Sequence, residues 1–181
     1  MSGHNKWSQI KHRKGAADKK KSLAFSKVLV AVSIAARPDP NPATNPRLRS
    51  LIEQAKAQNV PKENIERALS RASDKELKEF TIEAYGPEGV GIIIETITDN
   101  SNRTMQEVRN VLVELESKVA EIGSVRWAFE QVPDPTGAFT RLWRAKFPQK
   151  ISEDAREHLE AIVGSLEELE DVQKVTTSAA A

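Results

Sequence analysis

The chain has 181 residues, of which 39% are hydrophobic and 29% are charged, and it contains no cysteine. These values allow one domain or two small ones with packed cores, and they exclude disulfides, thiol nucleophiles and cysteine-based zinc sites. The longest apolar run, at residues 29–36, is far shorter than a bilayer span, and no signal-peptide pattern opens the chain. The sequence therefore predicts no membrane partner and a cytoplasmic location, with an organellar matrix as the alternative.

The charge is divided unevenly along the chain. Residues 1–80 hold 17 Lys and Arg against 8 Asp and Glu, whereas residues 81–181 hold 10 against 18. Residues 1–37 alone contain 9 basic residues and one acid, Asp18. Such a difference between the two halves indicates one end that faces nucleic acid and another end with a different role.

Hydrophobic spacing predicts a helix that begins at Ser22 and ends before the proline-rich segment at residues 37–46. Asn45, which precedes a proline, predicts the N-cap of a second helix, and Pro61 predicts the start of a third. Short amphipathic helices with brief connections are typical of a helical bundle. Residues 1–76 are therefore predicted to form a basic N-terminal arm plus a three-helix domain.

From Phe80 onward the hydrophobic period becomes that of a strand. Two strands are predicted on either side of a turn at residues 86–89. That turn is rich in glycine, but it lacks the spacing and the terminal lysine of a phosphate-binding loop. A capping box of Thr104 and Glu107 then predicts a helix.

The remaining segments are predicted to alternate between strand and helix. One strand, at residues 124–129, would place Val125, Trp127 and Phe129 on one side. A second strand, at residues 139–147, would place its aromatic residues on one side: Phe139, Trp143 and Phe147. Ser152 predicts the N-cap of a long helix. Residues 171–177 are predicted to form a last strand, and the closing Ser-Ala-Ala-Ala is predicted to be a frayed tail.

This order of elements predicts an α+β protein. The N-terminal three-helix bundle would be followed, over residues 77–181, by a ferredoxin-like α/β sandwich with a mostly antiparallel sheet.

The sequence offers little for catalysis. It has no cysteine, no histidine–carboxylate cluster with metal-ligand spacing and no serine motif, and its paired carboxylates are predicted to lie on helix surfaces. We therefore expect no enzyme activity, no cofactor, no metal and no small-molecule substrate.

The basic arm is the strongest functional signal. Its cations would neutralise phosphates, and an interleaved tryptophan or histidine would stack on exposed bases. Trp7 has an alternative role, because together with Ile10 it would also anchor the arm on the bundle. The candidate nucleic-acid-binding residues are His4, Lys6, Trp7, Lys11, His12, Arg13, Lys14, Lys19, Lys20, Lys21 and Lys27.

Several stretches together resemble the YebC/PmpR family, which is widespread in bacteria and occurs in mitochondria as a translational activator of a cytochrome oxidase subunit. These are GHNKWSQIKHRKGAADKKK from residue 3, NPRLRSLIEQAKAQNVPKENIERAL from residue 45, and EAYGPEGVGIIIETITDNSNRTMQEVRNVL from residue 83. GSVRWAF and the closing LEELEDVQKV are also similar. The resemblance covers nearly the whole chain and implies further contacts in the second domain at Tyr85, Asn100, Asn102 and Arg103.

The chain departs from the family pattern at two places. In one of them, ESKVAEIG at residues 116–123 replaces the glycine-rich approach to GSV. The other concerns a whole domain. The family has a third domain where residues 131–138 form a direct connection here, so the resemblance implies that this domain is absent. It also implies a regulator without catalytic activity, described either as a DNA-binding transcriptional regulator or as a translation factor that acts on the ribosome and relieves stalls.

We expect an RNA-facing translation regulator that binds the ribosome, or ribosomal or transfer RNA, through residues 1–27, and we favour a monomer. Two alternatives stay open. The first is a transcriptional regulator that binds duplex DNA. The second is a protein–protein adaptor, which would dock its acidic second domain on a basic partner.

Overall fold

The computed structural model describes the backbone of residues 4–70, 77–134 and 141–180, and side chains from residue 18 onward within those ranges. Helices and antiparallel strands are both present, which confirms the predicted α+β class. The helices are α1 His4–Ala35, α2 Pro46–Ala57, α3 Lys62–Ser70, α4 Ser101–Glu114 and α5 Glu153–Glu167. The strands are β1 Lys78–Tyr85, β2 Gly91–Thr98, β3 Lys118–Val119, β4 Phe129–Pro133, β5 Arg141–Ala145 and β6 Val172–Thr177.

The helices α1, α2 and α3 pack into a bundle around small and branched apolar side chains. Val32 and Leu48 are fully buried at its centre, and Ile65 of α3 is 5% exposed. The Asn45 side chain accepts a hydrogen bond from the backbone N–H of Leu48 at 3.0 Å, as its predicted role as N-cap requires. Burial of one apolar stripe from each helix stabilises this unit, because helices this short are marginal alone.

The strands β3, β1, β2 and β6 form a four-stranded sheet in that order, and every pair in it is antiparallel. Helices α4 and α5 cover one face, where Ile92 and Ile94 of β2 pack against Leu112 and Ile162. The turn predicted between the first two strands is present as a 3₁₀ turn at Pro87–Gly89. The central strand is buried on both faces, so it reads as a continuous apolar run rather than an alternating one.

Two different units cover the second face of the sheet. Strands β4 and β5 form a separate two-stranded sheet, the β4–β5 ribbon. Ile93 belongs to a cluster with Phe129 of this ribbon and with Val125, which precedes it. Ile97, four residues further along β2, belongs instead to the core of the helical bundle. The bundle therefore packs against the sheet beside the ribbon.

Two helices begin earlier than the sequence predicted. The first was predicted from Ser22, but α1 begins at His4 and continues without interruption, so the N-terminal arm is part of that helix. The capping box at Thr104 is also wrong. Asn100 is the N-cap of α4 and accepts from the N–H of Arg103 at 3.2 Å, while Thr104 is fully buried inside the helix.

The strand predicted at residues 124–129 is wrong in its first part. Arg126–Ala128 is a 3₁₀ turn, and the strand begins only at Phe129. Val125 and Phe129 are buried as expected, but Trp127 is 65% exposed. The cause is Glu83, whose buried carboxylate accepts the backbone N–H groups of Val125 and Arg126 and so holds the chain in a turn.

Residues 178–180, predicted to be frayed, are held to the fold. Ser178 is 5% exposed, and its backbone N–H donates to the carbonyl of Gly91 at 2.9 Å. The Ser178 hydroxyl oxygen accepts from the Gly91 N–H at 2.9 Å. The backbone N–H of Ala180 donates to the backbone carbonyl of Gln149, and the carbonyl of Ala180 accepts from the guanidinium of Arg156. The Ser178–Gly91 bonds extend the β2–β6 pairing beyond the end of β6, and the bonds of Ala180 join the tail to the approach to α5 and to α5 itself.

Other predictions fall outside the described residues. The predicted boundary between residues 76 and 77 adjoins residues 71–76, and half of the connection predicted at residues 131–138 to replace a third domain lies in residues 135–138. Of the helices in the described part, none combines the length and apolar content that crossing a membrane requires.

Candidate nucleic-acid interface

The predicted binding residues of the N-terminus lie on one continuous helix. α1 has 32 residues, so its axis is about 48 Å long at 1.5 Å per residue. Positions 6, 13, 20 and 27 are basic and recur every seven residues, so their α-carbons lie along one side of the helix. His4, Lys6, Trp7, Lys11, His12, Arg13 and Lys14 occupy the first part of α1, where the side chains lie outside the described residues.

Three of the predicted cations are exposed in the described part of α1. Lys19, Lys20 and Lys21 face solvent, and the ammonium of Lys21 lies 5.5 Å from the centroid of the Phe25 ring. Because Phe25 packs on the bundle, this contact holds Lys21 near the point where α1 meets the bundle. The three lysines continue the basic series toward the rest of the protein.

Lys27 is placed differently from the other cations. Its ammonium donates to the backbone carbonyl of Glu167 at 2.5 Å, at the C-terminal end of α5. Burial lowers the pKa of Lys27, and the nearby Glu167 carboxylate partly opposes that shift. A cation at a helix C-terminus satisfies an otherwise unpaired carbonyl, so Lys27 joins α1 to α5 instead of facing solution.

Of the second-domain candidates, Tyr85, Asn100 and Arg103 are engaged within the fold. The Tyr85 hydroxyl donates to the carbonyl of Ser124 at 2.8 Å, and Asn100 caps α4. Arg103 donates to Asp99 at 3.0 Å and to Asp171 at 2.8 Å. The fourth candidate, Asn102, is exposed on the first turn of α4. Asn100, Asn102 and Arg103 lie together where α4 begins, just after the end of β2, whereas Tyr85 pairs with Gly91 at the start of β2. The structure therefore brings three of the four residues together and leaves Tyr85 at the other end of the strand.

Asp171 explains why Arg103 is held in place. Its carboxylate also accepts from the hydroxyls of Thr104 at 2.6 Å and Thr98 at 2.9 Å. Partial burial raises the pKa of Asp171, but the hydrogen bonds from Thr104, Arg103 and Thr98 outweigh it and lower the pKa overall. The network joins the end of β2, the first turn of α4 and the approach to β6.

A polar cavity of about 340 Å³ lies between the bundle, the sheet and the ribbon. Glu95 of β2 lines it, with Arg47 of α2, Gln173 of β6 and Arg141 of β5. In the described part of the chain, Oε2 of Glu95, Nε of Arg47 and Nε2 of Gln173 are buried without a hydrogen-bond partner. Burial of the carboxyl is the main reason that the pKa of Glu95 is raised to about 7. The positive charge of Lys174 opposes the rise, and the negative charges of Glu79 and Asp134 increase it.

The structure also contains an exposed surface that the sequence analysis missed. Trp127 and Phe147 are both more than 60% exposed, and their ring centroids are 6.3 Å apart. Alternation of apolar residues suggested a strand at Trp127, so nothing in the local pattern indicated an exposed ring. Among side chains that the structure describes, no group of three or more His, Asp or Glu residues is arranged to hold a metal ion.

Comparison with known proteins gives two matches to family models. Residues 5–75 match the model of the TACO1/YebC protein N-terminal domain, and residues 77–133 match that of the TACO1/YebC second and third domain. Together the two matched stretches cover more than half of the chain.

Relatives at the sequence level carry regulatory names. A "Probable transcriptional regulatory protein" of Petrotoga mobilis is 52% identical over 136 residues, which are 72% of this chain and 54% of the relative. One of Dictyoglomus thermophilum is 44% identical over 162 residues, or 87% of this chain and 64% of the relative. The chain spans about half the length of most of the curated relatives it matches.

A solved structure has the same fold. The crystal structure of a conserved hypothetical protein from Aquifex aeolicus matches with a TM-score of 0.81 at 26% sequence identity, and the match covers 89% of this chain and 90% of that one. The fold described above is therefore shared with an experimentally solved protein.

Proposed function

The chain belongs to the TACO1/YebC family, and on this premise we propose that it is a non-enzymatic regulator of gene expression that binds RNA of the translation apparatus through α1. Relatives described as regulatory proteins support the general role. The RNA target and the ribosome as partner are the specific part of the proposal.

The observation that carries the proposal is the concentration of positive charge on one long helix. Residues 1–37 hold 9 basic residues against one acid, and residues 4–35 form a single helix. Cations bind the phosphate backbone and release its condensed counterions, and this sequence-independent attraction supplies most of nonspecific nucleic-acid affinity. Because the cations recur from Lys6 to Lys27, along about 32 Å of helix at 1.5 Å per residue, α1 is long enough to contact several successive phosphates.

RNA is favoured over duplex DNA by the kind of side chain in the arm and by the surface of α3. Histidine and tryptophan among cations suit irregular RNA, whose unpaired bases are open to stacking. Helices α2 and α3 are joined by a short turn, as in helix–turn–helix proteins, but Glu63 and Glu66 are both exposed on α3. Lys62 and Arg67 on the same helix only balance these two carboxylates, so α3 presents no net positive charge to a phosphate-lined duplex.

Transcriptional regulation through duplex DNA is the second candidate. The names of the relatives from Petrotoga mobilis and Dictyoglomus thermophilum favour it. Phosphate contacts from α1 would serve either nucleic acid, since they carry no sequence information. The two candidates therefore differ in what the rest of the interface recognises.

Co-sedimentation with ribosomal particles tests the proposal. We expect the full chain to move with the particles at low salt and to be released as salt rises, because cation–phosphate binding is weakened by salt. Nuclease treatment that degrades ribosomal RNA should release it as well. A chain that stays at the top of the gradient at every salt concentration would refute the ribosome as the partner.

A further inference from the structure

Two large aromatic side chains are exposed side by side at one end of the β4–β5 ribbon. Trp127 lies in the 3₁₀ turn before β4 and is 65% exposed, and Phe147 follows β5 and is 64% exposed. Their ring centroids are 6.3 Å apart and the ring planes are inclined by 41°. Aromatic rings of this size are mostly buried by folding, so an exposed pair is typical of a binding surface. We call Trp127 and Phe147 the aromatic pair.

The turn that carries Trp127 is held firmly by the sheet below it. Trp127 Nε1 donates to the carbonyl oxygen of Ser124 at 2.8 Å, and the Tyr85 hydroxyl donates to the same oxygen at 2.8 Å. The Glu83 carboxylate accepts the backbone N–H groups of Gly123, Val125 and Arg126, each at 2.8 Å. The indole is thus fixed in orientation while most of its surface faces solvent, which reduces the entropy that a ligand must overcome.

Cations lie next to the aromatic pair. The ammonium of Lys146 donates to the backbone carbonyl of Trp127 at 3.1 Å. The guanidinium of Arg126 lies 5.5 Å from the ring centroid of Trp143 and 3.6 Å from Glu83, and it is 44% exposed. Glu83 balances the charge of Arg126, so Lys146 supplies the net positive charge beside the aromatic pair, in a part of the chain that holds 18 acids against 10 basic residues.

We propose that the aromatic pair is a stacking platform for an unpaired base of RNA, with Lys146 contacting a neighbouring phosphate. This inference rests on the proposed function, in which α1 binds the same RNA. Every base has a π face that stacks on aromatic rings, and each such contact contributes about fivefold or more to affinity. An apolar protein partner fits the site less well, because it would remove the charge of Lys146 from water.

The aromatic pair lies at the end of the ribbon where β4 begins and β5 ends. Phe129 pairs with Ala145 near the aromatic pair, and Pro133 pairs with Arg141 at the opposite end. Four residues of strand separate these ends by about 13 Å. The two rings of the stacking surface therefore belong to the described turn before β4 and to the described residues that follow β5.

The test uses the full chain with two probes: a single-stranded RNA of 12 nucleotides that carries one 2-aminopurine, and the duplex of the same sequence. Phe147→Leu keeps an apolar side chain and removes the ring. We expect it to weaken single-strand binding about fivefold and to reduce the quenching of 2-aminopurine, with duplex binding unchanged. Trp127→Leu should act in the same direction, and Lys146→Ala should lower the salt dependence of binding.

Ile122→Ala is the matched control, because Ile122 is a 92% exposed apolar residue in the same loop but has no ring. We expect Ile122→Ala to bind both probes normally. Equal losses from Ile122→Ala and Phe147→Leu would overturn the stacking platform in favour of a general apolar docking surface. Unchanged quenching and affinity in a Trp127→Leu, Phe147→Leu double variant would overturn it as well.

The same probes separate failure of this inference from failure of the proposed function. If the unaltered chain binds both probes and the aromatic variants change neither, only the stacking platform is wrong. If the unaltered chain binds neither probe, the proposed role of α1 is wrong and the inference falls with it. Loss of the single-strand preference in the aromatic variants, with duplex binding retained, would support both.

Discussion

Replacing Lys11, Arg13 and Lys14 together by alanine should weaken RNA binding about a hundredfold at 0.1 M salt. Each phosphate contact changes the logarithm of the affinity by about 0.7 per tenfold change in salt for a single strand, and three such contacts are removed. The slope of affinity against salt should fall by about 2 for the same reason. Filter binding or fluorescence anisotropy over a series of salt concentrations measures both quantities.

The matched control changes an equal charge elsewhere. Lys62, Lys78 and Lys118 are exposed and lie outside α1, so alanine at all three lowers the net charge equally. We expect this control to keep most of the affinity and nearly the full salt slope. Equal losses in the two triple variants would mean that net charge, not the helix α1, determines binding.

Glu83→Ala should destabilise the protein by about 3–5 kcal/mol, the largest loss of stability that we expect from a single polar substitution here. The carboxylate is 3% exposed and accepts three backbone N–H groups, which alanine would leave without their partner. Glu83→Gln keeps one acceptor oxygen and should lose roughly half as much. Urea unfolding measures the free energy in each variant.

The pH dependence of stability gives a second readout for Glu83. Burial opposes ionisation, but hydrogen bonds from Gly123, Arg126 and Val125 outweigh it and hold the pKa below its ordinary value of 4.5. The ionised Glu83 carboxylate therefore makes its full contribution to the free energy of unfolding above pH 4.5. That contribution is lost as the pH falls through the lowered pKa that Glu83 has in the folded state. Glu83→Ala should lack this loss, whereas Glu160→Ala, an exposed control on α5, should keep it. Similar free energies of unfolding for the two variants above pH 4.5 would contradict the role of Glu83.

Predictions from local sequence signals succeeded where the structure is also set locally. The apolar stripe of the bundle, the N-cap Asn45 and the N-cap Ser152 depend on residues within one or two helical turns, and the structure confirms them. The N-terminal part of α1 was missed because residues 4–21 carry almost no apolar period, so amphipathic spacing gave no signal for a helix there.

Predictions failed where a distant residue decides the structure. The turn at Trp127 depends on Glu83, which lies about 40 residues earlier in the chain, and local alternation therefore suggested a strand. Ser178 is ordered by Gly91, 87 residues away, and so the tail is not frayed. No local pattern contains these pairings.

The candidate site was predictable only in part for the same reason. The basic residues of the N-terminus are visible as composition, and the family models match the same stretch. Lys27 looks like its neighbours in the sequence, but its partner on α5 is 140 residues away. Trp127 and Phe147 are brought together only by the pairing of β4 with β5, so no local sequence pattern predicts that the two rings are neighbours.

Competition between ribosomal RNA and duplex DNA for the full chain, at physiological salt, tests the central claim most directly. Nonspecific phosphate binding treats the two alike and weakens with salt, so any preference that remains reports a specific interface. We expect unlabelled ribosomal RNA to displace a bound RNA probe at concentrations at least tenfold lower than duplex DNA of equal phosphate content. Equal displacement by the two, or a preference for the duplex, would contradict RNA as the target of this protein.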